Sequence, residues 1–520
     1  MAAAAQIGRS TVTLDPALPD YPTLIHALAE AARRAPDRTA LICGDKTLDY
    51  AGYLRAVAGF ARRLAGHGVA GERVAVLMSN SIEMAVAMLG AMAARAQMAP
   101  INPFYTEREL KPLLADAAPR VLVVDAASAA KGRALAGALG IPHVEEFAPG
   151  ALAVETWVGD AALTLPEPLP GPDDWATLPY SGGTTGVPKG VNHKHRNLVI
   201  FFRQFISIWR FDFDVERFLN VAPMFHIWGF LAATWTPIYM RGTLVIMPKF
   251  EPEAVLEAFE RHKVTIFMGG PASIYMGLMA HPRFAKTDFS NLRLCLAGGS
   301  ACPEQMIRDW EAVTGCILLE GLGMSEGAPI ANNPLHGERK FLSVGIVPPL
   351  TEIDIVDLET GDKVLGPGET GEVRVRGPQF TQGYRNRPEE NAQALRHGWL
   401  YTGDIGYFDA DGYLFLVDRK KDMVNVGGYN VFPREIDELM FRHPKIREAA
   451  AVGVADPRLG ERIAAFVVLA AGQTMTEDEF FAYCAENLVK YKRPTTVAFV
   501  EALPKTGAGK INRRALRTQA

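Results

Sequence analysis

Apolar and polar positions change period repeatedly along the N-terminal part of the chain. From Tyr50 the apolar residues recur at helical spacing to about Gly66, and Arg73 to Met78 is then a short apolar run of strand length. A second helix is predicted from Ser81 to about Arg95, a strand near Met98 to Asn102, a helix after Thr106, and a strand from Arg120 to Asp125. This β/α alternation predicts a parallel sheet with helices on both faces.

A second alternation follows. Phe201, Phe202, Phe205, Ile206 and Trp209 make the predicted helix Asn197 to Arg210 apolar around most of its circumference, which implies burial. Leu244 to Met247, Val264 to Met268 and Leu292 to Ala297 are its strands. From Ser343 to Val417 the texture changes to short strands bounded by turns, among them Glu352 to Asp357, Gly371 to Arg376 and Gly412 to Asp418, which predicts a β-rich subdomain. Arg419-Lys-Lys-Asp422 is a charged break after it, and enough chain remains for a small domain. The expected class is therefore mixed α/β and α+β. Residues 1–420 would form a large N-terminal domain of two βα-layered subdomains plus the β-rich one, and 421–520 a small C-terminal α+β domain.

Composition narrows the function classes. A chain of 520 residues is too long for one core, and 48% hydrophobic residues can fill several. With 54 Lys+Arg against 58 Asp+Glu, the net charge of -4 offers no general attraction to nucleic acid or anionic membrane, so any polyanion must be held locally. The five cysteines are odd in number and contain no Cys-x-x-Cys, which suggests neither a disulfide framework nor a zinc knuckle and fits a reducing cytoplasm. Met1 to Arg9 lacks the basic start and apolar stretch of a secretory signal.

The candidate chemistry begins at Tyr180-Ser-Gly-Gly-Thr-Thr-Gly-Val-Pro-Lys-Gly190. Gly182, Gly183 and Gly186 let backbone N–H groups approach phosphate oxygens, Ser181, Thr184 and Thr185 add donors, and Lys189 adds a mobile positive charge. It is not a Walker loop, because Val187 and Pro188 separate Gly186 from Lys189 and Gly190 follows. In isolation a glycine-rich surface loop is the plain alternative. Four more motifs follow in order: Glu320-Gly-Leu-Gly-Met-Ser-Glu326, Tyr401-Thr-Gly-Asp404, Asp418-Arg-Lys-Lys-Asp-Met-Val-Asn-Val-Gly-Gly428 and Pro504-Lys-Thr-Gly-Ala-Gly-Lys510.

Together these motifs resemble the adenylate-forming (AMP-binding) superfamily, and within it the acyl-CoA synthetases of the fatty-acyl and 4-coumarate ligase type, from about residue 25 onward. The resemblance implies ATP, Mg²⁺ and coenzyme A, a carboxylic acid activated to acyl-adenylate, and then a thioester. It assigns β- and γ-phosphates to the Thr184/Thr185/Lys189 loop, the α-phosphate to Ser325 and a part in Mg²⁺ binding to Glu326, for which one carboxylate suffices. Taken alone, Glu326 would be a solvated acid at a helix start. Gly298, Gly299, Ser300 and Ala301, with Glu320, Gly321, Leu322 and Gly323, would line the nucleotide, and Asp404 would accept the ribose hydroxyls with Arg419 assisting. Alone, Thr402-Gly403-Asp404 would be a turn. Lys510 matches the adenylation lysine, which would otherwise be a solvated charge. Lys421 matches the hinge of a mobile C-terminal domain whose Gly427-Gly428-Tyr429 loop would replace Lys510 for thioester formation. A plain charged linker is the alternative there.

His226 aligns beside the substrate carboxylate, and Trp228, Gly229, Pro271 and Gly298 would shape the acyl pocket. A lone histidine in an apolar run is more often a core residue. His193 and His195 lack further ligands at metal-site spacing. Two departures stand out: Leu322 occupies the position of a common adenine-stacking tyrosine, and Gly182 that of a common serine. Ala222 to Met240 holds no Asp, Glu, Lys or Arg and is about long enough to span a bilayer, yet a span there would separate Lys189 from Glu326. It is expected to be core and pocket wall, with peripheral membrane contact and oligomerisation left open. The expected substrate is a medium- or long-chain fatty acid. An aryl or alicyclic acid, transfer to a carrier protein, and a non-catalytic sensor are the rivals.

Overall fold

Helices cover both faces of the first sheet, as its continuous apolar strands require. The computed structural model describes residues 7–181, 188–300, 302–506 and 511–519. The six strands lie in the order His193–Lys194, Trp175–Thr177, Gln97–Pro100, Arg73–Leu77, Val121–Asp125 and His143–Phe147, with only the first pair antiparallel. Val74 and Val76 pack with helices Tyr50–Gly66 and Ile82–Ala93, whereas Ala75 and Leu77 pack with Glu107–Ala117 and Ala129–Leu139. The period-2 alternation of a strand thus feeds two separate cores.

The second alternation builds an eight-stranded sheet, ordered Gly327–Asn332, Leu318–Met324, Leu294–Gly298, Ile266–Gly270, Arg217–Asn220, Thr243–Ile246, Thr39–Cys43 and Lys46–Asp49. The last two strands come from far upstream, and Thr39–Cys43 joins Thr243–Ile246 in parallel. Between the two large sheets lies one core, and helix His195–Trp209 is buried within it through Phe201, Phe202, Phe205, Ile206 and Trp209. The uncharged segment enters the same core as a π-helix, Trp228–Trp235, followed by Thr236–Met240. No helix among the described residues is long and apolar enough to cross a membrane.

An antiparallel sheet follows, ordered Ser343–Gly345, Leu414–Arg419, Trp399–Phe408, Gly371–Arg376 and Glu352–Val356, with Leu395–Arg396 paired to the third strand. Its strands stand where the β-rich texture places them. A last sheet comes from beyond the charged break: Tyr429–Val431, Val424–Val426, Gly460–Leu469 and Ile446–Asp456, with Thr496–Phe499 beside Gly460–Leu469. Helices Pro433–Phe441 and Glu477–Asn487 pack on one face, and Leu516 of Arg513–Arg517 packs on the other.

Candidate functional site

Adjacent parallel strands Ile266–Gly270, Leu294–Gly298 and Leu318–Met324 end side by side, the usual place for a ligand in such sheets. Trp228 lies against their ends. A Cβ on Gly298 would stand 3.2 Å from the Trp228 ring and 2.9 Å from Gly321 O, and one on Gly270 would stand 3.5 Å from Trp228 Nε1. The glycines therefore make room for the indole. Gly229 is fixed by a closer approach: a Cβ there would lie 1.9 Å from Pro223 O. The Trp228 N–H donates to His226 Nδ1 at 3.3 Å, and Pro271 precedes helix Ala272–Met279, whose first N–H donates to Ser300 Oγ at 3.2 Å. All five acyl-side candidates thus sit at or beside these strand ends.

Glu326 is buried in the turn joining the antiparallel strands Leu318–Met324 and Gly327–Asn332. It is not a solvated helix-start acid, because no helix begins there. Tyr384 Oη donates to Glu326 Oε1 at 2.8 Å. Burial holds the Glu326 carboxyl above its ordinary range, opposed by that hydrogen bond and by the charge of Arg419. Lys189, opposite Ser181 in a two-stranded hairpin, places its ammonium 5.1 Å from the centre of the Tyr384 ring. The Tyr384 segment is zipped to the hairpin's end: Arg385 N–H donates to Gly190 O at 2.8 Å, and Thr381 Oγ1 donates to Asn192 O at 2.6 Å. Tyr384 was not a sequence candidate, since one aromatic after a glycine carries no signal of its own.

Ser325 is held through its carbonyl, which accepts from His193 Nε2 at 2.8 Å. Burial depresses both His193 and His195 to about 4, so each is neutral. No cluster of three metal-capable side chains occurs among the described residues.

Asp404 and Arg419 face each other across adjacent strands, with Arg419 Nε 2.6 Å from Asp404 Oδ1. Thr402-Gly403-Asp404 lies inside the ten-residue strand Trp399–Phe408 rather than in a separate turn, with Gly403 at φ +71°. Asp404 Oδ2 is buried without a hydrogen-bond partner among the described residues. Such an acceptor fits a hydroxyl donor. Glu320 is buried too. Its Oε1 accepts the Cys302 N–H at 3.0 Å, and burial pushes its carboxyl up to about 7. Leu322 packs against the antiparallel sheet's core, and Gly299, Ser300 and Gly323 are exposed.

Lys421 is exposed beyond Arg419, and Gly427 (φ +59°) and Gly428 (φ +90°) form the turn before Tyr429. Tyr429 stacks on Tyr491 with ring centroids 4.5 Å apart, within the C-terminal lobe. Gly182, Gly183, Thr184, Thr185, Gly186, Ala301 and Lys510 lie outside the described residues.

Comparison with known proteins matches residues 28–385 to the AMP-binding enzyme family and residues 435–510 to the AMP-binding enzyme C-terminal domain. A long-chain-fatty-acid–CoA ligase of Bacillus subtilis is 35% identical, over 95% of this chain and 94% of the relative. A feruloyl-CoA synthase of Amycolatopsis is 36% identical, over 92% and 95%. Among solved structures, ATP-bound MatB from Rhodopseudomonas palustris superposes with a TM-score of 0.89 at 30% identity, covering 96% of this chain and 99% of that one. The anthranilate CoA ligase AuaEII in complex with anthranoyl-AMP gives 0.89 at 28% identity, covering 97% and 98%.

Proposed function

Since this chain belongs to the AMP-binding enzyme family and is an acid–thiol ligase, we propose that it activates a medium- or long-chain fatty acid with ATP and transfers the acyl group to coenzyme A. The carboxylate oxygen bonds to the α-phosphorus as pyrophosphate leaves, and the CoA sulfur then bonds to the acyl carbon as AMP leaves. Both steps bring anions together, so fixed cations and aligned donors must offset the repulsion. The observation that carries the reading is the meeting of Lys189, Glu326, Asp404 and Arg419 around one end of the sheets, from segments far apart in the chain.

Lys189 and the loop before it would hold the outer phosphates. Asp404 would take the ribose hydroxyls on its unpartnered oxygen, with its other oxygen held by Arg419. Glu326, with one oxygen engaged by Tyr384, fits a share in Mg²⁺ binding, which would supply charge neutralisation at the phosphates. His226 and Trp228 would border the acyl group, and Lys510 would bridge the attacking carboxylate and the α-phosphate. In this proposal residues 421–520 turn about Lys421 between the two steps and bring the Gly427-Gly428-Tyr429 loop to the adenylate. The five cysteines are all free thiols, which supports a cytoplasmic setting.

A second reading, an aryl acid, is favoured by one observation. Trp228 stands against Gly270 and Gly298, and its indole N–H donates to Met268 O at 3.4 Å, which sets a flat aromatic surface at the strand ends. Purified protein with ATP, Mg²⁺ and CoA is tested against alkanoic, benzoic, cinnamic and alicyclic acids for AMP release and thioester. Turnover of medium- and long-chain alkanoic acids is expected; activity confined to aromatic acids replaces the fatty-acid assignment with the second.

A further inference from the structure

The hinge required by the proposed two-step reaction separates Asp418, in strand Leu414–Arg419, from helix Pro433–Phe441 of the C-terminal lobe. A direct contact crosses it. Asp418 Oδ2 accepts the backbone N–H of Arg434 at 2.9 Å, while Oδ1 accepts the N–H of Arg419 at 2.7 Å. Only 9% of Asp418 is exposed, so its carboxylate is buried with one donor from each side of the hinge. The Arg434 N–H belongs to the first turn of its helix and has no partner within the helix, and a carboxylate there also faces the positive end of the helix dipole. The Arg434 side chain is itself largely covered and paired with Glu438 at 3.1 Å. Its charge is felt by Glu320, on the strand that carries the candidate nucleotide site.

Turning the lobe about Lys421 would draw the Arg434 N–H away from Asp418 and leave the Arg419 N–H where it is, because Asp418 and Arg419 both precede the hinge. A buried carboxylate would then lose one of its two backbone donors, and a helix would lose its cap. We propose that Asp418 is a positioning residue that selects the present orientation of the C-terminal lobe and so sets how the enzyme divides its time between adenylation and thioester formation. This inference rests on the two-step reading above. It adds to it a specific residue that decides between the two states.

The experiment compares Asp418→Ala, which removes the acceptor, with Asp418→Asn, which keeps a carbonyl oxygen for the Arg434 N–H. Spectroscopic labels on cysteines introduced at Val313 and Val489, both exposed, report the distance between the lobes, with the half-buried Cys43 replaced. Adenylation is followed by ATP–pyrophosphate exchange, and thioester formation by turnover of supplied acyl-adenylate. Asp418→Ala is expected to redistribute the label distances and to change the ratio of the two half-reactions by about tenfold, with Asp418→Asn within about twofold of the parent. An unchanged distance distribution in Asp418→Ala, or equal loss of both half-reactions, overturns the proposal. If the parent enzyme makes no thioester at all, the functional reading fails by itself, since the distance measurement needs no turnover.

Discussion

Tyr384 donates its phenolic hydrogen to Glu326 at 2.8 Å while its ring lies 5.1 Å from the Lys189 ammonium, so one side chain joins a candidate metal-binding acid to a candidate phosphate-binding base. Tyr384→Phe keeps the ring under Lys189 and removes the hydrogen bond. A buried carboxylate oxygen left without its donor costs about 1–3 kcal/mol. The expected result is a rise of about tenfold in the KM for ATP in pyrophosphate exchange, with Tyr384→Ala worse because it also loses the cation–π contact. Equal KM values for the phenylalanine variant and the parent would show that the hydroxyl does not tune Glu326.

Much of this arrangement was legible beforehand, for identifiable reasons. Arg73–Leu77 and Val121–Asp125 were readable because continuous apolar runs of strand length admit few other roles. Thr39–Cys43 was not, because its place beside Thr243–Ile246 is decided by packing between segments that share no local pattern. Glu326, Asp404 and Arg419 were singled out through motifs, whereas the turn that buries Glu326 and the strand that holds Asp404 were not foreseen. In both places the local sequence favoured another structure, and antiparallel pairing with the next strand in the chain won. Tyr384 escaped because its importance is entirely spatial.

Glu320 gives a pH prediction. Its carboxyl is raised by burial from about 4.5 to about 7, which corresponds to a penalty on the order of 3 kcal/mol for the ionised form. Because the folded value lies above the unfolded one, the neutral acid is tolerated at low pH and stability is lost as pH rises from about 4.5 to about 7. Glu320→Gln keeps an oxygen for the Cys302 N–H and does not ionise. Denaturant unfolding should therefore give similar stabilities for both proteins at the acidic end and an advantage for the variant that grows up to about pH 7 and then levels. An advantage independent of pH would assign the effect to packing.

Asp404→Asn tests the ribose assignment. The substitution preserves size but weakens the pairing with Arg419 and turns one acceptor into a donor. Adenylation with ATP should fall by about 100-fold in kcat/KM. The same measurement with 2′-deoxy-ATP decides the cause: the parent should lose activity on removal of the hydroxyl, while the variant should lose little more, since its partner group is already gone. Additive losses would place the carboxylate away from the ribose.

Lys510→Ala separates the half-reactions. If the lysine bridges carboxylate and α-phosphate, adenylation should drop by at least about 100-fold, while supplied acyl-adenylate is still converted to thioester at close to the parent rate. Equal loss of both would argue against an alternating C-terminal lobe.

Trp228→Ala tests the choice between the two substrate classes. The Trp228 indole occupies the space that Gly270 and Gly298 leave open, and a half-buried ring there either forms the wall of a compact aryl slot or stands at the entrance of a longer one. Trp228→Ala vacates that space without touching Lys189, Glu326 or Asp404, so the KM for ATP should not move. Each added methylene that finds new apolar contact contributes about 1–3 kcal/mol to discrimination. If the indole limits depth, the variant's kcat/KM should rise with chain length relative to the parent by about tenfold or more per few methylenes, at the expense of compact acids. If the indole is instead the contact surface for a flat ring, aromatic acids should lose most and alkanoic acids should gain nothing. A profile unchanged for both classes would remove Trp228 from the acyl pocket.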